Sequence, residues 1–514
     1  MRTISPCSTV LVSKSSRNAV ALDQTKAPYF QALLDYVDAG VLPFHTPGHV
    51  QGIGMDLAFR EFIGDNICAI DLTPMPGIDD LLQPTESIKE AQELAAEAWG
   101  ADATFFLVNG STSGNQCMMM TACNPGDKIA VPRNSHKSML GGLVMSGAEP
   151  VYMQPEVDEE LHMDHCVTPE TIERTLAQHP DIVAVYVVSP TYYGVAADLA
   201  SIERIVHGAG KLMLVDEAWG PHFHFHPALP LSATAAGADL SINSTHKMLS
   251  AFSQCAMLHA RGDRVRMDRL KAVLKMFLST SPNLPMLASL DVARKQMATE
   301  GPALLSRTIA LAQETRRRLN EIDGLYCFGE ELQGRKGVFD LDPTKLAVTV
   351  KGLGYTGYEA SEILRKRYNI QVELADLFNI VALFTIGTTR DAADRFVNAF
   401  EELARDDRPV DMYAPSGILE KRLNRGSYQL PKIPPMRMLP RDAFLADTEF
   451  VKFKDSHGRI CAETLSPYPP GIPVISPGEE LTPEIIDYLR LELRAGVRIQ
   501  GSYDDELKII RVVK

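Results

Sequence analysis

The chain has 514 residues, 45% of them apolar and 23% charged, with a formal net charge of −14. That apolar content excludes intrinsic disorder as the main state, and at roughly 100–200 residues per domain the length predicts about three domains. No apolar run approaches the roughly 18 residues of a membrane span, and the acidic balance argues against a nucleic-acid surface, which is normally a basic patch.

The eight cysteines show no CxxC and no disulfide-framework spacing, so they are expected to be reduced thiols. Met1 to Leu22 carries Arg2, Lys14, Arg17 and several serines but no acid. Transit peptides and plain disordered N-termini share that composition. The expected setting is the cytoplasm, with organelle targeting as the alternative.

A short amphipathic helix is expected from Ala27 to Gly40, followed by a Pro/Gly-rich loop over Pro43–His49. Ser87-Ile88-Lys89-Glu90 has the pattern of a capping box and opens a helix to about Trp99. Short apolar runs suited to buried parallel strands follow at Thr104–Val108, Lys128–Val131, Ile182–Val188, Leu212–Val215 and Leu240–Ile242. Helical stretches such as Pro169–Gln178 and Leu199–Gly208 lie between them. The alternation predicts an α/β fold with a doubly wound, mostly parallel sheet. A helix-rich stretch from Val265 to Asn320 leads to a second, smaller α/β unit over Gly324–Asp406, with strands at Lys345–Val350 and Ile380–Ile386. Pro-rich segments at Gln429–Pro440 and Ser466–Gly478 suggest a small C-terminal domain. The expected division is an arm over 1–40, a large domain over 41–320, a small domain over 321–410 and a C-terminal domain over 411–514.

In such sheets the chemistry collects beyond the carboxyl ends of the strands. Polar clusters directly follow all five predicted strands: Asn109–Asn115, Arg133–Lys137, Ser189–Gly194, Asp216–His222 and Asn243–Lys247. Gly110-Ser111-Thr112-Ser113-Gly114, between a strand and a helix, offers free backbone N–H groups and hydroxyls, an anion cradle suited to phosphate. It lacks the P-loop lysine pattern, and a simple capped turn is the bland alternative. Asp216 at a strand end can pair with a protonated ring nitrogen, or serve only as a cap or a salt-bridge partner. Lys247, if desolvated in the cleft, becomes a nucleophile for carbonyls, whereas an ordinary lysine stays on the surface. Together, a cradle, an acid and a Schiff-base lysine are the three anchors of pyridoxal 5′-phosphate.

The set resembles the fold-type I pyridoxal-phosphate enzymes, specifically the bacterial ornithine/lysine/arginine decarboxylase family. The resemblance rests on Phe44–His49, Asn109–Asn115, Arg133–Ser138, Ser244–Lys247, Thr280-Ser281-Pro282, Pro467–Pro473 and Pro477-Gly478-Glu479. It spans nearly everything from about Ala27 on. It implies an aspartate-aminotransferase-like large domain with Lys247 carrying the cofactor and Asp216 salt-bridging its pyridine nitrogen. His136 is implied to stack on one ring face and Ala218 to pack the other, with Ser111, Thr112, Ser244 and His246 on the phosphate. Thr280 and Ser281 are implied to reach the neighbouring subunit's phosphate, which places active sites at the interface of a homodimer or a dimer of dimers. Glu373 and Tyr468 are candidates for the distal cation of a small basic amino acid. Lys247, Asp216, His136 and His246 are the implied catalytic set, with His246 or Lys247 as the Cα proton donor.

Long family members carry a wing domain before this region. Only about forty residues precede Phe44, so the chain matches a short form. The implied reaction is α-decarboxylation, with arginine as the expected substrate and polyamine biosynthesis as the expected role. Lysine or ornithine decarboxylation is the alternative. An aminotransferase that uses Arg390 for the substrate carboxylate is a rival, and so is a non-catalytic homologue. Among the other polar residues, His45 and His49 are turn formers or lie on the substrate side. Alternation in His222-Phe223-His224-Phe225-His226 would put three histidines on one face of a strand, but no partner set for a metal accompanies them. Trp219 is expected to pack near the cofactor, and Arg316-Arg317-Arg318 to form a solvated helix face.

Overall fold

The computed structural model describes residues 21–406, 431–468, 472–494 and 497–514. Seven strands form the central sheet: β1 (Ala103–Leu107), β2 (Lys128–Pro132), β3 (Glu149–Met153), β4 (Ile182–Val188), β5 (Leu212–Asp216), β6 (Leu240–Asn243) and β7 (Ala256–Ala260). Their order is β1-β7-β6-β5-β4-β2-β3. From β6 to β3 every pairing is parallel, whereas β7 runs antiparallel to both of its neighbours. The expected α/β class is present, and all five expected strands lie in the sheet.

Two strands escaped the sequence reading for different reasons. β3 is an edge strand whose burial is broken at Glu149, Val151 and Tyr152, so no apolar run marks it. β7 is fully buried but carries His259, whose ring bonds Thr104 Oγ1 (2.8 Å) and Asn243 Oδ1 (2.7 Å). A histidine satisfied inside the core is invisible to a hydrophobicity pattern.

The strand period of two sorts the side chains onto two faces. Val185, Val187, Met213 and Val215 pack toward the helices Pro169–Gln178 and Leu199–Gly208. Ala184, Tyr186, Leu214 and Ile242 face the helices Gly110–Ala122, Lys137–Ser146 and Met267–Phe277. Both faces are therefore covered, which is the doubly wound arrangement. The 36-residue helix Leu284–Leu319 runs on from there. Its Arg294–Asp291 pair (2.6 Å) is fully buried and holds the N-terminal segment: Arg294 donates to the carbonyls of Gln24 and Lys26, and Asp291 accepts from the Tyr29 amide. The first helix, Pro28–Asp38, packs there through Tyr29 and Leu33.

The second unit is a four-stranded antiparallel sheet. It comprises β8 (Tyr326–Cys327), β9 (Lys345–Thr349), β10 (Leu374–Ala375) and β11 (Asn379–Leu383), ordered β8-β9-β11-β10. Arg316 is not part of a solvated face, as the sequence suggested. Its guanidinium donates to the carbonyls of Phe328 and Lys345, and Arg318 pairs with Asp394; only Arg317 is exposed. At the C-terminal end, β12 (Thr448–Lys452) pairs with β15 (Ile509–Val513), and β13 (Ser466–Tyr468) with β14 (Arg498–Gln500). This unit is tied to the large sheet by a buried ion pair, Arg133–Glu479 (2.5 Å), and by Arg133 donating to the Val474 carbonyl (2.7 Å). Among the described residues, no helix is long and apolar enough to cross a membrane, and seven cysteines are free and buried. Cys7 and nearly all of the stretch read as a targeting segment lie outside the described residues.

Two local expectations are corrected. The histidines at 222, 224 and 226 are not on a strand, because Phe223–Phe225 is a 3₁₀ turn and the rings diverge. His222 meets Asp342, His224 Ser232, and His226 Ser306. Ser87 caps nothing: the helix Ser87–Trp99 has no side-chain cap at its first residue, and the Ser87 hydroxyl is buried without a partner. Asp79 does the capping from nine residues upstream, accepting from the amides of Glu86 and Ile88 at 2.9 Å and of Thr85 at 3.0 Å. We expect Asp79→Ala to destabilise the fold by about 1–2 kcal/mol and Ser87→Ala to leave the melting temperature nearly unchanged. Equal melting shifts for the two variants would contradict the assignment.

Candidate active site

Five strand ends converge on one cavity of about 440 Å³. Its lining includes Ser111 and Thr112 after β1, His136 after β2, Pro190 and Tyr192 after β4, Asp216, Ala218 and Trp219 at and after β5, and Ser244, His246 and Lys247 after β6. Every strand-end cluster marked in the sequence thus contributes.

The Gly110–Gly114 stretch opens a helix directly after β1. Gly110 adopts φ +70°, a conformation that favours glycine, and starts the helix that carries Ser111 and Thr112. The Ser111 and Ser244 hydroxyls lie 2.7 Å apart. Gly114 lets the helix settle on the sheet, because a Cβ there would stand 2.3 Å from Ile242 Cδ1. The first amides of this helix have no acidic residue near them in its first turn, so the helix end favours an anion.

Asp216 ends β5 on the face that β4 covers with Tyr186. Its Oδ2 accepts from Asn115 Nδ2 (2.8 Å) and Tyr186 OH (2.9 Å), and Oδ1 from the Ala218 amide (3.0 Å). The neighbouring acid Glu217 points to the opposite face. It accepts from the Ala233 amide and from Asn243, and burial pushes its pKa up to about 8. The alternation of the strand decides which of the two acids faces the cavity. Tyr186, pushed well above its ordinary range by burial and by the charge of Asp216, stays a phenol and a donor.

Lys247 lies on the short helix Thr245–Met248. Burial lowers its pKa from 10.5 to about 8, against the opposing pull of Asp216 and Glu373. Its Nζ sits 3.9 Å from the centre of the Trp219 indole. A second amine, Lys345 Nζ, lies the same 3.9 Å from that ring and donates to the carbonyls of Thr191 (3.3 Å) and Tyr192 (3.2 Å). Lys345 is 2% exposed, its pKa driven well down by burial. Sequence reasoning missed it, because it opens a small-domain strand far along the chain and carries no motif. A Cβ on Gly194, at φ +90°, would stand 3.2 Å from the Lys345 Cβ.

His136 is half-buried. Burial lowers its pKa to about 4, with Asp216 opposing and Lys247 assisting. His246 is also lowered by burial, and its Nδ1 donates to the Cys255 carbonyl (2.8 Å). Glu373 is exposed, outside the cavity lining, yet its charge raises the basicity of Lys247, Lys345 and His246. Tyr468 falls on β13 opposite Arg498, and its side chain lies outside the described part of the structure. Thr280 and Ser281 are exposed between two helices and do not line their own chain's cavity. Arg390 also stays away, because it is spent on a two-point pair with Glu314 (2.8 Å each). His45 bonds Tyr36 and His49 bonds Asp71, so both act as loop fasteners in this chain.

The site joins an anion cradle, a buried acceptor and an amine close to neutrality. Those three fixtures fit a phosphorylated, ring-protonated carbonyl compound.

Comparisons with known proteins agree with this chemistry. The model of the Orn/Lys/Arg decarboxylase major domain matches residues 27–392, and that of the family's C-terminal domain matches 422–504. An arginine decarboxylase of Bacillus subtilis is 46% identical over 494 residues, covering 96% of this chain and 99% of that one. A lysine decarboxylase of Pseudomonas aeruginosa is 29% identical and covers 93% of this chain and 77% of its own. The crystal structure of a Francisella novicida lysine decarboxylase superposes with a TM-score of 0.83 at 24% identity, over 95% of this chain and 81% of that one. With both family domains matched in order over most of its length, and with a half-buried lysine beside a buried carboxylate where the sheet ends, the chain belongs to the Orn/Lys/Arg decarboxylase family and is an amino-acid decarboxylase.

Proposed function

We propose that the protein binds pyridoxal 5′-phosphate and decarboxylates arginine at Cα, releasing carbon dioxide and leaving agmatine. The observation that carries this reading is a half-buried Lys247, with its pKa lowered to about 8, in one cavity with the buried Asp216 carboxylate and the Ser111/Ser244 hydroxyl pair. When bound, the cofactor supplies an electron sink for the bond to the leaving carboxylate. Ser111, Thr112, Ser244, His246 and the first helix amides hold its phosphate, and Asp216 keeps the ring nitrogen protonated. His136 and Ala218 take the two ring faces, and Lys247 provides the amine. Asp216 thereby favours the charge that develops in the transition state.

Arginine is favoured over lysine because the relative named for arginine is 46% identical and the one named for lysine 29%. Glu373 supplies an anion beside the site for the substrate's cation, and Tyr468 is the second candidate for that end. Thr280 and Ser281, exposed on their own chain, are free to serve a second copy's phosphate, which makes the working unit a homodimer or a dimer of dimers. We place its role in polyamine supply in the cytoplasm, where thiols such as its free, buried cysteines stay reduced.

Carbon dioxide release should be fastest from arginine among arginine, lysine and ornithine; release from none of them would sink the reading. Borohydride reduction of the loaded protein should label the peptide of Lys247 and not that of Lys345, although both amines flank the same indole; Lys247→Ala should abolish turnover, and Asp216→Ala should slow it roughly 10²-fold or more. Only a neutral amine attacks a carbonyl, so cofactor capture should quicken about tenfold per pH unit up to about pH 8 and then level off. A capture rate flat from pH 6 to 9 would contradict the desolvated state of Lys247.

A further inference from the structure

We propose that the site's two histidines are held in opposite tautomers, with Ser138, itself positioned by Asn115, fixing His136 as the Nε2–H form. The inference rests on the reading above only for what that N–H faces.

The protons can be counted along one chain. Asn115 Nδ2 lies 2.8 Å from Asp216 Oδ2, which can only accept, so the amide must present its nitrogen there. Turning the amide over would set an oxygen against the carboxylate. Its second hydrogen goes to Ser138 Oγ at 2.9 Å. The Ser138 backbone N–H, which can only donate, points at His136 Nδ1 from 3.2 Å, so Nδ1 accepts. The Ser138 hydroxyl lies 2.9 Å from the same nitrogen and can then meet it only with its own hydrogen. Two donors meet at Nδ1, so Nδ1 holds a lone pair. Burial keeps the ring neutral at ordinary pH, which leaves its single hydrogen on Nε2.

His246 is set the other way. Its Nδ1 faces the Cys255 carbonyl at 2.8 Å, an acceptor only, so Nδ1 carries the hydrogen and Nε2 the lone pair. Both rings line the cavity. His136 therefore offers a hydrogen bond to an anionic oxygen of a bound ligand, whereas His246 donates to the phosphate assigned to it above only after taking up a proton at Nε2. Ser138 and Asn115 do not line up as catalytic groups. They are positioning residues, and Asn115 serves Asp216 and His136 at once.

Nitrogen-15 NMR of the full-length protein labelled at histidine tests this, with signals assigned from their loss in His136→Gln and His246→Gln. His136 should show a pyridine-type Nδ1 and a pyrrole-type Nε2 both before and after loading with pyridoxal phosphate. His246 should show the reverse before loading. Ser138→Ala should move His136 toward mixed tautomers and lower kcat roughly 10- to 100-fold with KM little changed, and Ser138→Thr should restore the wild-type pattern. A pyrrole-type Nδ1 at His136 in the unmodified protein would overturn the proposal, and so would a Ser138→Ala spectrum identical to it. The nitrogen shifts need no turnover, so failure of the decarboxylase reading and failure of this one register separately.

Discussion

The Asp216 carboxylate is 5% exposed at the end of β5, where an uncompensated anion would lose several kcal/mol of hydration. It is held there by two donors on one oxygen and a backbone amide on the other. One of those donors, Tyr186, projects from the adjacent strand, and the other, Asn115, from the helix lying on the same face. The same helix presents Ser111 at its start. Placing the acid therefore also places the cradle and, through Asn115 and Ser138, the His136 ring. The rest of the chemistry is arranged around a charge whose solvation the protein has replaced with fixed dipoles.

The frame of this arrangement was legible because strands and polar clusters alternate in the chain, and the ends of a parallel sheet must gather such clusters. What stayed hidden was whatever depends on facing. Nothing in the run Leu212–Asp216-Glu217 says which acid turns toward the cavity until the strand's partners are known. Asn115 looked like one polar residue in a glycine-rich turn, yet only its position one helical turn past Ser111 brings it over the carboxylate. Lys345 was unreadable for another reason: it reaches the Trp219 indole from the second sheet, and that approach is set by docking of the two units. The capping of the Ser87–Trp99 helix by Asp79 failed in the same manner, because a loop carboxylate outcompetes the local serine for the same amides.

The two units meet in the site through charge. Lys345 and Lys247 both lie against Trp219, and the exposed Glu373 raises the basicity of both. Burial disfavours each amine as a cation, and Glu373 opposes that effect at both. Lys345 also donates to the carbonyls of Thr191 and Tyr192, which ties the second sheet to the segment after β4.

Arg133 lies three residues before His136, and its guanidinium is clasped by Glu479 and the Val474 carbonyl from the C-terminal unit. The described part of the C-terminal unit is thus a brace for the loop that carries His136. A chain cut before that brace would strip Arg133 of its partners and uncover the end of β2 three residues before His136, so shortened forms of the protein should lose order at the centre of the molecule before they lose it at the new end.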